Sequence, residues 1–280
     1  MATLAAGVGV ALQRIPPFPA IAQRLMALTA KDNVSFREIG DVLQADPGYS
    51  MEVLRLANSA GFATRQEVRS ILVAVSLLGV ERLEALVITV ALSRFAKAVA
   101  KTDLFRASWR HSLACALIAE DLAPSFHLLK AECYSLALLH DIGRFALLVA
   151  MPQEYQALIA GLGNGPASVA AAEREAFGVD HCELGHTLLR KWGLPLSFEQ
   201  PICCHHDEPS KSGHSQQHLV YAACAGATRF GFAVGPGEPV EWEEGVLRKI
   251  PRDASDLLAS EELPDSVAER INRIECSNVS

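Results

Sequence analysis

The sequence predicts an all-α protein, a helical N-terminal subdomain packed on a second helical domain. Half of its residues are hydrophobic but only 6% are aromatic, and the apolar excess lies in Ala, Leu and Val, a mixture that favours packed helices over sheets. Apolar residues recur at helical spacing between Pro and Gly punctuation. No run of alternating apolar and polar residues is bounded by hairpin signals, and no short-period repeat stands out. A chain of 280 residues can bury a sizeable core, in one large or two smaller domains.

The N-terminal residues 1–14 read as a loosely docked tail: Met1 to Leu12 is apolar, yet no Lys or Arg precedes it, and Arg14 with Pro16 and Pro17 closes it too early for a signal peptide. Ile21, Leu25 and Leu28 fall on one face of a first helix. Ser35 and Glu38 form a capping box ahead of Ile39, Val42 and Leu43, and Asp46-Pro47 starts a third helix that ends near Gly61. Ser70 and Gly79 bracket a fourth. A longer pattern from Glu81 to about Lys101 bridges into Asp103–Ala123, where Leu104, Ala107, His111, Ala114 and Ile118 share a face. Glu132 to Ala150 reads as one strongly apolar helix with His140-Asp141 in its middle. Pro152 starts the next helix, and residues 161–166 form a loop. Asp180 with Glu183 caps a helix that stops at Gly193 and Pro195. Further helices carry His205-His206 and span about Gln217 to Phe230. The organisation is therefore a subdomain over 15–100, a second over 101–230, and a linker with an acidic tail over 231–280.

A formal net charge of -7 gives no general field for phosphate backbones, so neither nucleic acid nor an anionic membrane is an expected partner. The apolar stretch Leu83–Leu92 contains Glu84 and Thr89 and falls far short of the roughly 20 residues a membrane helix needs. The seven cysteines are odd in number and lack a C-x-x-C pair, which reads as reduced, mostly buried thiols in a cytoplasmic protein.

The informative chemistry is Leu138-Leu-His-Asp-Ile-Gly143. A titratable pair inside so apolar a segment carries a desolvation cost that something must offset. His140 and Asp141 can both reach one metal ion, and the remaining ligands must come from other helices: His111, His181, and His205 or His206. Taken singly, each histidine is as well read as a hydrogen-bonded core residue, and His140-Asp141 as a buried pair holding two helices. His127, His214 and His218 read as surface or helix-end residues. Cys203-Cys204 beside the paired histidines lacks ligand spacing and reads as buried thiols.

Several segments together are specific. His111, then His140-Asp141, then later histidines resemble the HD superfamily of metal-dependent phosphohydrolases. The HDOD subfamily is matched more closely, through Ile15-Pro-Pro-Phe-Pro-Ala20, Asp46-Pro47, Leu54-Arg-Leu-Ala-Asn-Ser59 and Ala74-Val-Ser-Leu-Leu-Gly79. Its second half is matched through Trp109-Arg-His111, Leu138 to Gly143, Glu173-Arg-Glu175, Gly178-Val-Asp-His181, Trp192-Gly-Leu-Pro195 and Ile202 to His206. The resemblance covers roughly Ile15 to Pro209. It implies an HD-like helical second domain and a regulatory or output module without proven hydrolase activity, often joined to other signalling domains and here carried alone.

The resemblance also implies a vestigial or weak metal set of His111, His140, Asp141, His181 and His205, with His206 as the alternative to His205. No residue is assigned as catalytic, and no cofactor is assigned beyond a divalent metal at that site. Where an active HD protein would supply a late Asp ligand, the chain has Tyr221-Ala-Ala-Cys224, and Cys182-Glu-Leu-Gly185 replaces the Gly-Tyr-Pro of cyclic-dinucleotide phosphodiesterases. The expected function is signal transduction without catalysis, through a signalling protein of unknown identity or a small ligand. A metal-dependent phosphohydrolase acting on a nucleotide or other phosphate ester is the alternative, and a helical adaptor without a ligand a third reading.

Overall fold

The computed structural model describes residues 15, 17–29, 34–59, 67–99, 102–162, 168–209, 211–235 and 242–277. The tail expected over residues 1–14 lies outside the described residues. Among the described residues every regular element is helical and there is no strand. The chain divides into two compact units, one over 17–98 and 264–280 and the other chiefly over 99–263.

The N-terminal unit contains α1 (Ala20–Thr29), α2 (Phe36–Gln44), α3 (Pro47–Ala57), α4 (Ile71–Leu78), α5 (Val80–Val99) and α15 (Glu262–Ser277). Its helix starts obey the local chemistry. Ser35 and Glu38 close a capping box on α2, Asp46 accepts from the Tyr49 N–H at the start of α3, and Ser70 accepts from the Val73 N–H at the start of α4. Gly79 ends α4 at φ 79°, in the region that favours glycine. The core gathers Leu25, Ile39, Leu43, Val53, Leu56, Leu83 and Leu86, all at most 1% exposed. Tyr49 is buried among them and donates its hydroxyl to the Val87 carbonyl at 2.5 Å.

The stretch over 231–280, expected as a linker and an acidic tail with one or two weak helices, carries two α-helices among its described residues. Residues 252–258 form α14 (Arg252–Leu258) in the C-terminal unit, and α15 joins the N-terminal unit. The cause is an amphipathic spacing: Leu263, Val267, Ile271 and Ile274 recur along one face of α15 and are buried, while the acidic residues lie on the other.

The C-terminal unit is built on α6 (Asp103–Leu122), which packs against α7 (Lys130–Leu139) and α13 (Gln216–Ala227). Around them lie α8 (Ile142–Ala150), α9 (Pro152–Gly161), α10 (Val169–Phe177), α11 (His181–Trp192) and α12 (Glu199–Cys204). The structure corrects one expected feature. The apolar helix over 132–150 is two helices, because α7 stops at Leu139 and α8 begins at Ile142, with Asp141 at φ -107°, ψ 23° between them. This break removes the roughly 100° divergence that continuous helix would impose on His140 and Asp141.

The stretch Lys130–Ala150 is long and apolar enough to cross a membrane by length and composition, but 89% of its most apolar window is buried inside this fold. Gly143 sets the approach of α8 to α11. A Cβ there would stand 1.8 Å from the His181 carbonyl oxygen, so only glycine permits the crossing that brings His181 beside Asp141.

Candidate metal centre

Six side chains expected at the site come together in the C-terminal unit. His111 is on α6, His140 and Asp141 are at the α7–α8 break, His181 opens α11, and His205 and His206 come directly after α12. Ring centroids are 5.5 Å apart for His111 and His140, 4.9 Å for His140 and His205, and 5.3 Å for His181 and His205. Instead of surrounding a single point, the donor atoms form two foci. His111, Cys115, His140 and Cys224 make one quartet and His181, Cys182, His205 and His206 the other, each with its atoms within 4.8 Å of one another. Asp141 stands beside the second, its Oδ1 3.8 Å from His181 Nε2. His127 and His218 are exposed or half-exposed, as expected of surface or helix-end residues. Cys203 and Cys204, read as buried thiols, are only half-buried and belong to neither quartet.

The imidazoles are oriented by their second nitrogens. His111 Nδ1 lies 2.9 Å from the Phe232 carbonyl, His140 Nδ1 2.5 Å from that of Ala137, and His205 Nδ1 3.0 Å from that of Ile202. A carbonyl can only accept, so each Nδ1 carries the proton and each Nε2 is left to face the cluster, the arrangement that metal-ligating histidines use. His140 Nε2, His205 Nε2 and Asp141 Oδ1 are buried without a hydrogen-bond partner. Such desolvated polar atoms, His140 Nε2 at the first focus and His205 Nε2 with Asp141 Oδ1 at the second, fit bound divalent cations, which would supply the missing interactions.

A buried chain of charge holds the second focus. Arg144 donates from Nε to Asp141 Oδ2 at 2.6 Å and from Nη1 to the Tyr155 oxygen at 3.0 Å, and Tyr155 donates to Glu173 Oε1 at 2.7 Å. Glu173 Oε2 then accepts from the His181 backbone N–H at 2.8 Å and from His181 Nδ1 at 2.5 Å. Burial alone would raise the Asp141 carboxyl, but Arg144, then His181, His140 and His205, hold it well below the usual carboxylate range. Burial lowers His181, and the Glu173 carboxylate more than reverses this, leaving it well above its ordinary value. His206, facing His181 at 2.8 Å, is pushed down to about 4 by burial and then by His181. Burial, then His206 and His140, lowers His205 strongly as well.

The first focus has no carboxylate. His111 Nε2 lies 3.4 Å from Cys115 Sγ and 3.5 Å from Cys224 Sγ. The Cys224 thiol is held well below its ordinary value, first by the hydrogen bond from Cys115 and then, against burial, by His111, whereas burial drives Cys115 up. The sequence does not single out Cys115, Arg144 or Tyr155, and Cys182 and Glu173 stand out in it only within compared segments. Two signals were available: Arg144 interrupts the same apolar run as Asp141, and Cys115 stands one helical turn after His111.

The HDOD domain family matches residues 15–208. The chain belongs to this family. A solved HDOD domain protein of unknown function from Geobacter sulfurreducens superposes with a TM-score of 0.80 at 25% identity, covering 98% of this chain and 96% of that one. A Shewanella amazonensis SB2B protein provisionally named a phosphohydrolase superposes with a TM-score of 0.73 at 22% identity, covering 98% of both chains, and shows the shared fold. An uncharacterized Treponema pallidum (strain Nichols) protein is 26% identical over 210 residues, 74% of this chain. The chain spans 40% of that relative's length.

Proposed function

We propose that this HDOD protein is a regulatory module that works in the cytoplasm by binding a signalling protein or small ligand and does not turn over a phosphate ester. One observation carries the reading. Asp141, the carboxylate that faces His181 Nε2, already gives one oxygen to the buried Arg144, and the other quartet holds Cys115 and Cys224 and no carboxylate. Hard ions suited to phosphate chemistry favour oxygen ligands, and this donor set is chiefly nitrogen and sulfur. Exposed apolar groups support a binding role: Phe36, Met51, Leu72, Val73 and Leu77 stand on α2, α3 and α4 at 39–66% exposure. Seven free cysteines agree with a reducing compartment.

A second reading, metal-dependent phosphohydrolysis, is favoured by the unpartnered Asp141 Oδ1 and His205 Nε2. A divalent ion held there by Asp141, His181 and His205 would supply an activated water. The test is hydrolysis of mononucleotides, cyclic dinucleotides and a generic phosphodiester with added manganese, iron, magnesium or nickel, beside an Asp141→Ala control. Equal background rates are expected. Metal-dependent turnover that vanishes in Asp141→Ala overturns the regulatory reading in favour of the hydrolase.

A further inference from the structure

The quartet of His111, Cys115, His140 and Cys224 has two sulfur donors where its neighbour has one, and only the neighbour has Asp141 beside it. His111 and Cys115 stand one turn apart on α6, His140 ends α7, and Cys224 lies on α13, so three separate helices aim nitrogen or sulfur at one spot. Their four donor atoms lie within 4.8 Å of one another. Zinc bonds of about 2.0 Å to nitrogen and 2.3 Å to sulfur place those atoms about 3.5 Å apart around a tetrahedron. His111 Nε2 lies 3.4 Å and 3.5 Å from the two sulfurs.

Both imidazoles are already turned for ligation, with Nδ1 bound to the Phe232 and Ala137 carbonyls and Nε2 facing the spot. His140 Nε2 is buried there with no hydrogen-bond partner, which is costly unless another group meets it. Charge also balances. Two thiolates and a doubly charged ion sum to zero, and two neutral imidazoles add nothing, so the loaded centre leaves no net charge in an apolar interior.

We propose that His111, Cys115, His140 and Cys224 bind one zinc ion as a closed two-histidine, two-cysteine centre that ties α6, α7 and α13 together. Binding releases the thiol protons to solvent and changes no oxidation state. With all four positions filled by protein, this zinc has no open position for a substrate water, so the centre is structural. The inference stands apart from the regulatory reading, since hydrolysis and metal ligation are measured separately.

Cobalt(II) titrated into reduced, chelator-stripped full-length protein is the test, because cobalt reports sulfur ligation by thiolate charge transfer and tetrahedral geometry by its visible bands. Both signals are expected in the wild type, and zinc should displace them. Cys115→Ser and Cys224→Ser should each weaken cobalt binding by about 100-fold or more and diminish the charge-transfer band. Cys203→Ser, outside both quartets, should leave the spectrum unchanged. Circular dichroism checks that each variant keeps its helices. X-ray absorption at the zinc edge of the wild type gives a readout free of mutation, with sulfur expected at about 2.3 Å. Absence of thiolate charge transfer in the wild type overturns the proposal. So does a spectrum that survives the double Cys115→Ser, Cys224→Ser variant, a Cys115–Cys224 disulfide in freshly reduced protein, or a zinc edge with only light-atom ligands.

Discussion

Buried charge and exposed apolar surface fall in different units of the chain. Among the described residues, the N-terminal unit buries the polar Ser50, Thr89 and Ser93, none of them charged, and five of the seven large apolar side chains left exposed belong to its helices α2 to α4. The C-terminal unit buries His111, Glu120, His140, Asp141, Arg144, Glu173, Asp180, His181 and His205, and among its described residues only Leu129 and Leu196 are large exposed apolar groups. Burying a charge is costly unless it is paired, and leaving apolar surface in water forfeits stability. The two departures from the ordinary pattern have separate physical costs, so substitutions in the two units should behave differently.

The largest effect is expected from Arg144→Met. It removes the cation between Asp141 and Tyr155 and leaves a buried carboxylate without its partner. Breaking such a pair costs about 3–5 kcal/mol. Denaturant unfolding monitored by helix signal should show the loss, and Asp141→Asn added to Arg144→Met should recover part of it. A loss below about 1 kcal/mol would mean that the chain of charge does not hold the C-terminal unit together.

Acid should act on the same unit, and its sign is set by His206. Its folded value of about 4 lies below the ordinary 6.5, so the unfolded chain binds the proton more readily. The stabilising contribution is therefore fully present above pH about 6.5 and is lost as pH falls toward about 4, amounting to roughly 3 kcal/mol. His205 acts in the same direction. His181 acts oppositely, because its raised value gives stability that is complete below 6.5 and fades as pH rises through the folded value. Unfolding midpoints of chelator-treated protein should fall between pH 7 and 4, and His206→Gln should flatten the slope. An unchanged slope would show that His206 is free to protonate in place.

Tyr155→Phe is milder. It deletes the hydroxyl between Arg144 and Glu173 and keeps the ring, which should cost about 1–3 kcal/mol in the same measurement. If Tyr155→Phe were as damaging as Arg144→Met, the hydroxyl and not the ion pairs would be the main support.

The same division separates what could be read in the sequence from what could not. The starts of α2, α3, α4 and α11 were legible because a cap is a contact between residues three apart, as in Ser35 with Glu38 and Asp180 with Glu183. His140-Asp141 was legible because polar groups in an apolar run demand compensation. Their partners were not, since Tyr155 and Glu173 meet Arg144 only through tertiary packing across three helices. Nor was the helix break between Leu139 and Ile142 marked, because no Pro stands there. The partition of the histidines into two foci depends on Cys115, Cys182 and Cys224; Cys115 and Cys224 have alanine on both sides and look like core thiols in the sequence, whereas Cys182 stands between His181 and Glu183.

The smallest stability effect is expected where the N-terminal unit exposes apolar groups. Met51 on α3 is 66% exposed and Leu77 on α4 is 45% exposed, so a lysine at either position keeps its charge in water and gives up little buried area. Leu72 is a poorer choice, because a Cβ on Gly40 would come within 2.9 Å of its side chain, which shows how closely it lies against α2. Met51→Lys with Leu77→Lys should shift unfolding free energy by no more than about 0.5 kcal/mol per site. The helix content should also stay constant. If the regulatory reading is right, the pair should weaken association with a signalling partner without touching the metal spectrum, since neither residue belongs to the C-terminal unit. A loss above about 1 kcal/mol per site would mean that these side chains are held by packing, and the contrast between an inward-facing chemistry in one unit and an outward-facing apolar surface in the other would fail.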